Sequence, residues 1–130
     1  MVDYRSYEHR DLQEVLGLCA VEDWPGLSAD PDRTHRILTN PGVTSFVAVD
    51  GTAVVGFIYV LSDGELQAYI ASMAVGEAHR RRGIGTSLIQ HAAKAAGGER
   101  VDLLSAEDGF YEQLIHQRRA GFRLYPPFKR

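Results

Sequence analysis

The feature that most constrains the fold is a strand-like segment that leads through a turn rich in glycine and arginine into a helix. Residues 65–75, "ELQAYIASMAV", are typical of a strand, and residues 79–85, "HRRRGIG", follow them closely. Apolar residues then recur at helical spacing over about 83–96, and residues 100–106 are strand-like again. A strand–helix–strand order predicts two parallel strands joined by a right-handed crossover. The chain should therefore build a sheet that helices cover.

The remaining segments add mostly antiparallel strands. Asp50-Gly51 is typical of a hairpin turn between two apolar segments, and Leu12, Val15, Leu16 and Cys19 form one apolar stripe of a helix. Asp30 should cap a second helix, and Asp11 with Glu14 resembles a capping box before the first. The prediction is an α+β fold with a mixed, mostly antiparallel sheet of about six strands flanked by helices. Its order is βααβββαβαβ, with a helix at 110–119, a last strand at 121–125 and one domain over residues 1–130.

Composition limits the location and the partners. The chain has 14 basic and 17 acidic residues and a formal net charge of −3, which does not favour a polyanion, so we expect no nucleic-acid partner. The N-terminus is too polar for a signal peptide, and no apolar segment is long enough to span a membrane. A single cysteine, Cys19, fits a reducing compartment and a small core residue. We expect a cytoplasmic protein.

The turn itself has the chemistry of an anion site. A helix start presents unpaired N–H groups and the positive end of the helix dipole, and Gly83 and Gly85 let an anion approach closely. The arginines before them add charged donors, so the site suits a pyrophosphate. A dinucleotide fingerprint would need glycine where Leu88 stands, and a P-loop would need Gly-Lys-Ser/Thr. A solvated basic helix start remains an alternative.

Residues 80–85, "RRRGIG", resemble the Q/R-x-x-G-x-G/A signature of the GCN5-related N-acetyltransferases, or GNAT family. Val75 precedes the signature by five residues, as it does in that family, and the order of elements is similar over nearly the whole chain. The resemblance implies an acetyl-CoA-dependent N-acetyltransferase that transfers the acetyl group directly to a primary amine. It implies that strands four and five splay apart for the pantetheine arm. The implied cofactor-binding residues are Met73, Ala74, Val75, Arg80, Arg81, Arg82, Gly83, Ile84, Gly85 and Thr86.

The resemblance also suggests catalytic residues. Phe110-Tyr111 stands where the family has the Phe-Tyr pair whose tyrosine protonates the leaving thiolate, and the Val75 amide would stabilise the oxyanion. Relatives often have Gly-Phe about five residues after that tyrosine, whereas Gly121 follows Tyr111 by ten. Tyr125 is therefore the second candidate for the acid.

A general base is harder to identify. Some relatives have a glutamate eleven residues before the signature, where this chain has Tyr69, and Glu65 is four residues earlier on the same predicted strand face. Glu22, Asp23 and Trp24 lie between the first two helices, where the family often shapes its acceptor site. No cluster has metal-ligand spacing, so we expect no metal.

Three interpretations remain open from the sequence. The first is the acetyltransferase, with a small-molecule or peptide amine as acceptor. The second is a non-catalytic acyl-CoA sensor or partner module, which the missing glutamate favours. The third is a nucleic-acid or anion binder that uses Arg80, Arg81 and Arg82 and the basic C-terminal segment. Pro126-Pro127 leaves little room for a seventh strand, so a homodimer that covers the open edge is a further hypothesis.

Overall fold

The computed structural model describes residues 1–105 and 108–128. Within them are five strands and five helices, joined at two points by single 3₁₀ turns. The elements are β1 (Val2–Ser6), α1 (Leu12–Val21), α2 (Pro25–Ser28), α3 (Pro31–Leu38), β2 (Val43–Asp50), β3 (Ala53–Ser62), β4 (Gln67–Val75), α4 (Ile84–Ala96), β5 (Arg100–Asp102) and α5 (Asp108–Glu112). No helix in this part of the chain has the length and apolarity needed to cross a bilayer.

The strands form one sheet in the order β1-β2-β3-β4-β5. From β1 to β4 each strand pairs antiparallel with the next, whereas β4 and β5 are parallel, as a crossover through α4 predicts. The α+β architecture with a mostly antiparallel sheet is thus confirmed. The register of β3 against β4 shifts between Tyr59 and Val60, which leaves Ala71 as an extra residue on β4.

Helices cover both faces of the sheet and bury two apolar clusters. On one face α4 packs Ile84, Leu88 and Ala92 against β3 and β4. On the other face α1 packs its predicted stripe, Leu12, Val15, Leu16 and Cys19, against the sheet, and all four are buried. Burial raises the pKa of Cys19 to about 11, which fits its role as a core residue.

The caps of the helices agree with the sequence in one case and differ in another. Asp30 caps α3 as predicted, because its carboxylate accepts a hydrogen bond from the Arg33 amide at 3.1 Å. Asp11 makes no capping bond at α1 and instead forms two 2.8 Å hydrogen bonds with the Arg5 guanidinium. It also accepts the Glu8 amide at 2.8 Å, so the capping box lies one turn earlier than predicted.

Two parts of the predicted order are wrong. The observed order in the described residues is βαααβββαβα, because a short helix, α2, precedes α3 and no sixth strand forms at 121–125. The last helix ends at Glu112 rather than at residue 119. Phe122 and Leu124 are 84% and 70% exposed, so this segment has no buried face to stabilise a strand. β5 ends at Asp102, and Ala106, the last residue of the predicted strand, lies outside the described residues.

Candidate functional site

A gap between two neighbouring strands forms the site. β5 pairs with β4 only from Gln67 to Tyr69, opposite Arg100–Asp102, so the rest of β4 has no strand on that side within the described chain. A cleft of about 1400 Å³ opens there, between the end of β4, the start of α4 and residues 103–105. The splay that the family resemblance implies is therefore present as a divergence of β4 from β5.

The free edge of β4 presents backbone groups to this cleft. The Gly76 amide donates to the Val55 carbonyl at 2.8 Å, so the carbonyl on the other side of that peptide, Val75, points away from β3. That carbonyl accepts a 3.0 Å hydrogen bond from Arg80 Nε. Because strand groups alternate, the N–H groups of Met73 and Val75 also point to the free edge. Both residues line the cleft, as does Ala74 between them.

The start of α4 closes one end of the cleft with amide groups. The first bond of the helix runs from the Ser87 amide to the Gly83 carbonyl at 3.0 Å, so the amides of Ile84, Gly85 and Thr86 have no acceptor within the helix. Gly83 has φ +79°, a left-handed conformation that favours glycine, and a Cβ there would meet no atom within 4 Å. Open space in front of unpaired amides makes a cradle for an anion.

Gly85 has a second role, because its lack of a side chain lets an aromatic residue approach the helix. A Cβ at Gly85 would lie 3.1 Å from the Phe110 ring and 3.4 Å from the Met73 methyl group. The neighbouring Tyr111 is half-buried, lines the cleft and contacts Phe110 edge to face, with ring centroids 5.0 Å apart. Burial raises the pKa of Tyr111, so its hydroxyl keeps its proton at neutral pH.

The three arginines of the turn have different surroundings. Arg80 donates to Glu22 Oε1 at 2.7 Å as well as to Val75, and thereby joins the end of α1 to the end of β4. Arg81, with φ +65°, lines the cleft. Arg82 is exposed and is not among the cleft-lining residues. The turn is therefore not one continuous basic patch.

The wall on the side of α1–α3 contains residues that the sequence analysis missed. Trp24 and Asp23 line it as expected, with Asp23 exposed and in a left-handed conformation at φ +60°. Tyr59 lines it too, opposite Ser72 in the register of β3 and β4. Other residues missed on the cleft wall are Leu27, Arg33, Ile37, His79 and Arg123. Helical spacing could have placed Arg33 and Ile37 on one face of α3, but only the tertiary structure shows that this face lines the cleft.

The two candidate bases on the fourth strand lie away from the cleft. Glu65 precedes β4, because the Asp63 carboxylate accepts the amides of Glu65 and Leu66 at 2.8 Å and holds them in a turn. Tyr69 lines a separate shallow depression at the far end of the β3–β4 hairpin. The expectation that both face the acceptor amine therefore has no geometric support.

Tyr125, the second candidate for the acid, is 71% exposed and does not line the cleft. Among the described residues, no three His, Cys, Asp or Glu side chains are grouped so as to hold a metal ion.

Comparison with known proteins identifies the family of this chain. The model of the acetyltransferase (GNAT) family matches residues 9–122, so the chain belongs to that family. No curated protein matches the sequence.

Solved structures share the fold. A GNAT family acetyltransferase from Streptococcus pneumoniae TIGR4 superposes with a TM-score of 0.76 at 23% identity, over 97% of this chain and 99% of that one. Ribosomal-protein-alanine N-acetyltransferase from Brucella melitensis biovar Abortus 2308 gives 0.75 at 22%, over 96% and 98%. AAC(6')-Iy, in complex with a bisubstrate analogue, CoA-S-monomethyl-acetylneamine, gives 0.71 at 19%, over 96% and 99%.

Proposed function

We propose that this protein is an acetyl-CoA-dependent N-acetyltransferase that acts on a primary amine. The observation that carries the proposal is the continuity of one cleft. The free edge of β4, with the outward amides of Met73 and Val75, leads directly to the unpaired amides at the start of α4. An extended chain with amide groups and a pyrophosphate at one end would find a partner for each part along this path.

The residues present fit acetyl-CoA. Gly83 leaves room for the pyrophosphate at the amides of Ile84 to Thr86, and Met73 and Val75 can pair with the amides of the pantetheine arm. A related fold binds an analogue that contains CoA, which supports the same choice here. Bound acetyl-CoA supplies an electrophilic thioester carbon and a thiolate leaving group.

The protein groups at the cleft match the requirements of acyl transfer. In the reaction an amine nitrogen bonds to the carbonyl carbon, the carbon–sulfur bond breaks, the nitrogen loses one proton and the thiolate gains one. Of the outward amides of Met73 and Val75, one is available for the oxyanion while the other pairs with the pantetheine arm, and Tyr111, protonated at neutral pH, is the donor for the thiolate.

The amine itself must lose a proton before it attacks. A free alkylamine has a pKa of about 10, and the described cleft wall holds only two carboxylates, Glu22 and Asp23, the first of which is paired with Arg80. In this mechanism the proton goes to solvent, and Asp23, a carboxylate of the described cleft wall outside the Glu22–Arg80 pair, is the alternative acceptor. We therefore expect kcat/KM to rise with pH up to the pKa of the acceptor, and a plateau near pH 7 would contradict a solvent-dependent step.

The first test is calorimetric titration with acetyl-CoA, with NAD and a short RNA as controls. Selective binding of acetyl-CoA at micromolar concentration is expected, and its absence in a folded sample would overturn the proposal. Release of CoA thiol on addition of amines then separates an enzyme from a non-catalytic acyl-CoA sensor. The sensor is the second candidate, because Glu65 and Tyr69 lie away from the cleft.

The nucleic-acid alternative loses its main support, because Arg80 is engaged by Glu22 and Val75 and Arg81 faces the cleft. Lys129 and Arg130 of its basic C-terminal segment lie outside the described residues. The homodimer stays a prediction, and a gel-filtration mass of one subunit at micromolar protein would contradict it.

A further inference from the structure

The wall of the cleft on the side of α1–α3 has a composition that restricts the acceptor. Four of its residues, Trp24, Leu27, Ile37 and Tyr59, belong to the apolar cluster beneath α1–α3 or pack against it. They give the cleft an apolar and partly aromatic surface opposite the free edge of β4. Such a surface favours an acceptor with an apolar or aromatic body over a sugar-like one.

The cleft as a whole carries a net positive charge, because four arginines and two carboxylates are among its lining residues. Arg33 and Arg123 both line the cleft, and neither guanidinium has an ion pair or a side-chain hydrogen bond with the described residues. Of these two carboxylates, Glu22 is paired with Arg80 at 2.7 Å, and Asp23 has no ion pair with the described residues. Arg33 lies one turn before Ile37 on α3, on a regular helix that also buries Thr34 and Leu38 in the core.

A cationic cleft disfavours an acceptor that carries several ammonium groups, because each would meet like charge and few carboxylates. It favours a molecule that brings its own anion, since a guanidinium binds a carboxylate through two parallel hydrogen bonds. The acceptor amine still needs its own nitrogen free for attack. The combination of apolar surface, free guanidinium and few carboxylates therefore selects a zwitterion.

We propose that the acceptor is an amine that also carries a carboxylate on an apolar or aromatic frame, as an aromatic α-amino acid does, and that Arg33 binds this carboxylate. The inference rests on the proposed acetyltransferase function and deepens it. Arg33 acts in binding and specificity, with the carboxylate on its guanidinium and the side chain of the acceptor against Trp24 and Tyr59.

The test measures thiol release with two pairs of amines that differ only in the carboxylate: L-phenylalanine with 2-phenylethylamine, and L-tryptophan with tryptamine. Neamine and a short peptide with N-terminal alanine complete the panel. We expect the carboxylated member of each pair to have the higher kcat/KM, by roughly tenfold or more. A preference for the decarboxylated amines, for neamine or for the peptide would overturn the inference.

Two variants then locate the effect. Arg33→Gln should raise KM for the carboxylated amines by roughly tenfold or more, leave kcat nearly unchanged and have little effect on the decarboxylated ones. Arg36→Gln is the matched control, because Arg36 is exposed on the same helix but does not line the cleft. An equal loss with both members of a pair, or with both variants, would overturn the role of Arg33.

The two proposals fail in different ways. If acetyl-CoA does not bind, the proposed function falls first. If acetyl-CoA binds and thiol is released only with amines that lack a carboxylate, or with none of the panel, the acceptor class proposed here is wrong and the cofactor site stands.

Discussion

Helices cover both faces of the sheet, but the buried residues on the two faces differ in polarity. On the α4 face the buried residues are apolar, and the site at the start of α4 consists of backbone amides. On the α1–α3 face lie the three buried polar residues of the described chain, Asp11, Thr34 and Ser45, each hydrogen-bonded. Thr34 Oγ1 donates to Leu27 at 2.5 Å, and Ser45 Oγ donates to Leu38 at 2.8 Å.

The difference separates the two halves of the proposed reaction. In the proposed reaction, backbone groups would bind the pyrophosphate and the pantetheine arm of acetyl-CoA, and such binding requires from the sequence only glycine and regular structure. Side chains such as Arg33 and Trp24, which line the other wall of the cleft, would bind the acceptor. We therefore expect substitutions on the α4 face to affect cofactor binding, and substitutions on the other face to affect acceptor choice and stability.

The largest expected effect comes from Gly83→Glu. A side chain at this position would enter the open space before the helix amides and bring a negative charge to it, so the Kd for acetyl-CoA should rise by about a hundredfold, or about 2.7 kcal/mol. Gly51→Glu is the matched control, because Gly51 also has positive φ and open space but lies in the β2–β3 hairpin. If both variants lose similar stability in thermal melting but only Gly83→Glu loses acetyl-CoA binding in calorimetry, the result would support the cradle.

The second prediction concerns the acid. Tyr111→Phe should lower kcat by about a hundredfold while Kd for acetyl-CoA changes little, because the ring stays and only the proton donor is lost. Tyr125→Phe should have no such effect, since Tyr125 is exposed outside the cleft. Steady-state kinetics with a good acceptor decides the matter, and an equal loss in both variants would contradict the assignment.

A smaller effect is expected on the polar side of the sheet. Asp11→Asn removes a charged partner of Arg5 and should lower the free energy of unfolding by about 2 kcal/mol. Burial raises the pKa of Asp11, but hydrogen bonds from Arg5 and Glu8 and the charges of Arg5 and Arg10 outweigh it, so the pKa lies below its ordinary range.

The sign of the pH effect follows from that direction. A lowered carboxyl pKa contributes stability above the pKa of the unfolded chain, about 3.9, and this contribution is lost as the pH falls through the folded value. Chemical denaturation from pH 7 to pH 3 should show a shallower acid loss in Asp11→Asn than in the wild type. Asp32→Asn, at an exposed position of α3, should leave the curve unchanged.

The smallest effect is expected for Glu22→Gln. The pair with Arg80 is partly exposed, with side-chain exposures of 30% and 48%, so its loss should cost no more than about 1 kcal/mol of stability. If the pair also orients the loop that carries Trp24, KM for the acceptor should rise a few-fold while binding of acetyl-CoA does not change. A large loss of acetyl-CoA binding would contradict the division between the two halves.

The sequence predicts features that depend on residues close together in the chain better than features that depend on tertiary contacts, for a physical reason. The stripe of α1, the hairpin at Gly51 and the start of α4 depend on residues close together in the chain. The prediction that Glu65 and Tyr69 share one face of a strand depends on counting residues along that strand, but Asp63 holds Glu65 in a turn. Counting along one segment cannot show such a turn.

The C-terminal part fails for a related reason. The apolar alternation of residues 121–125 predicts a strand, yet a strand needs a neighbour and a buried face, and Phe122 and Leu124 have neither in the described structure. Arg33 was missed because nothing local distinguishes it from Arg36 on the same helix. Only the position of α3 against the cleft separates the two.

The divergence of β4 from β5 makes the stability of the protein depend on its ligand. A sheet with an unpaired stretch in its interior lacks main-chain hydrogen bonds that a bound ligand can supply, so acetyl-CoA would act there as a surrogate strand. A ligand that binds only the folded chain stabilises it by about 2.7 kcal/mol at a concentration one hundred times its Kd. The melting temperature, and resistance to proteolysis, should therefore follow the supply of acetyl-CoA around the protein.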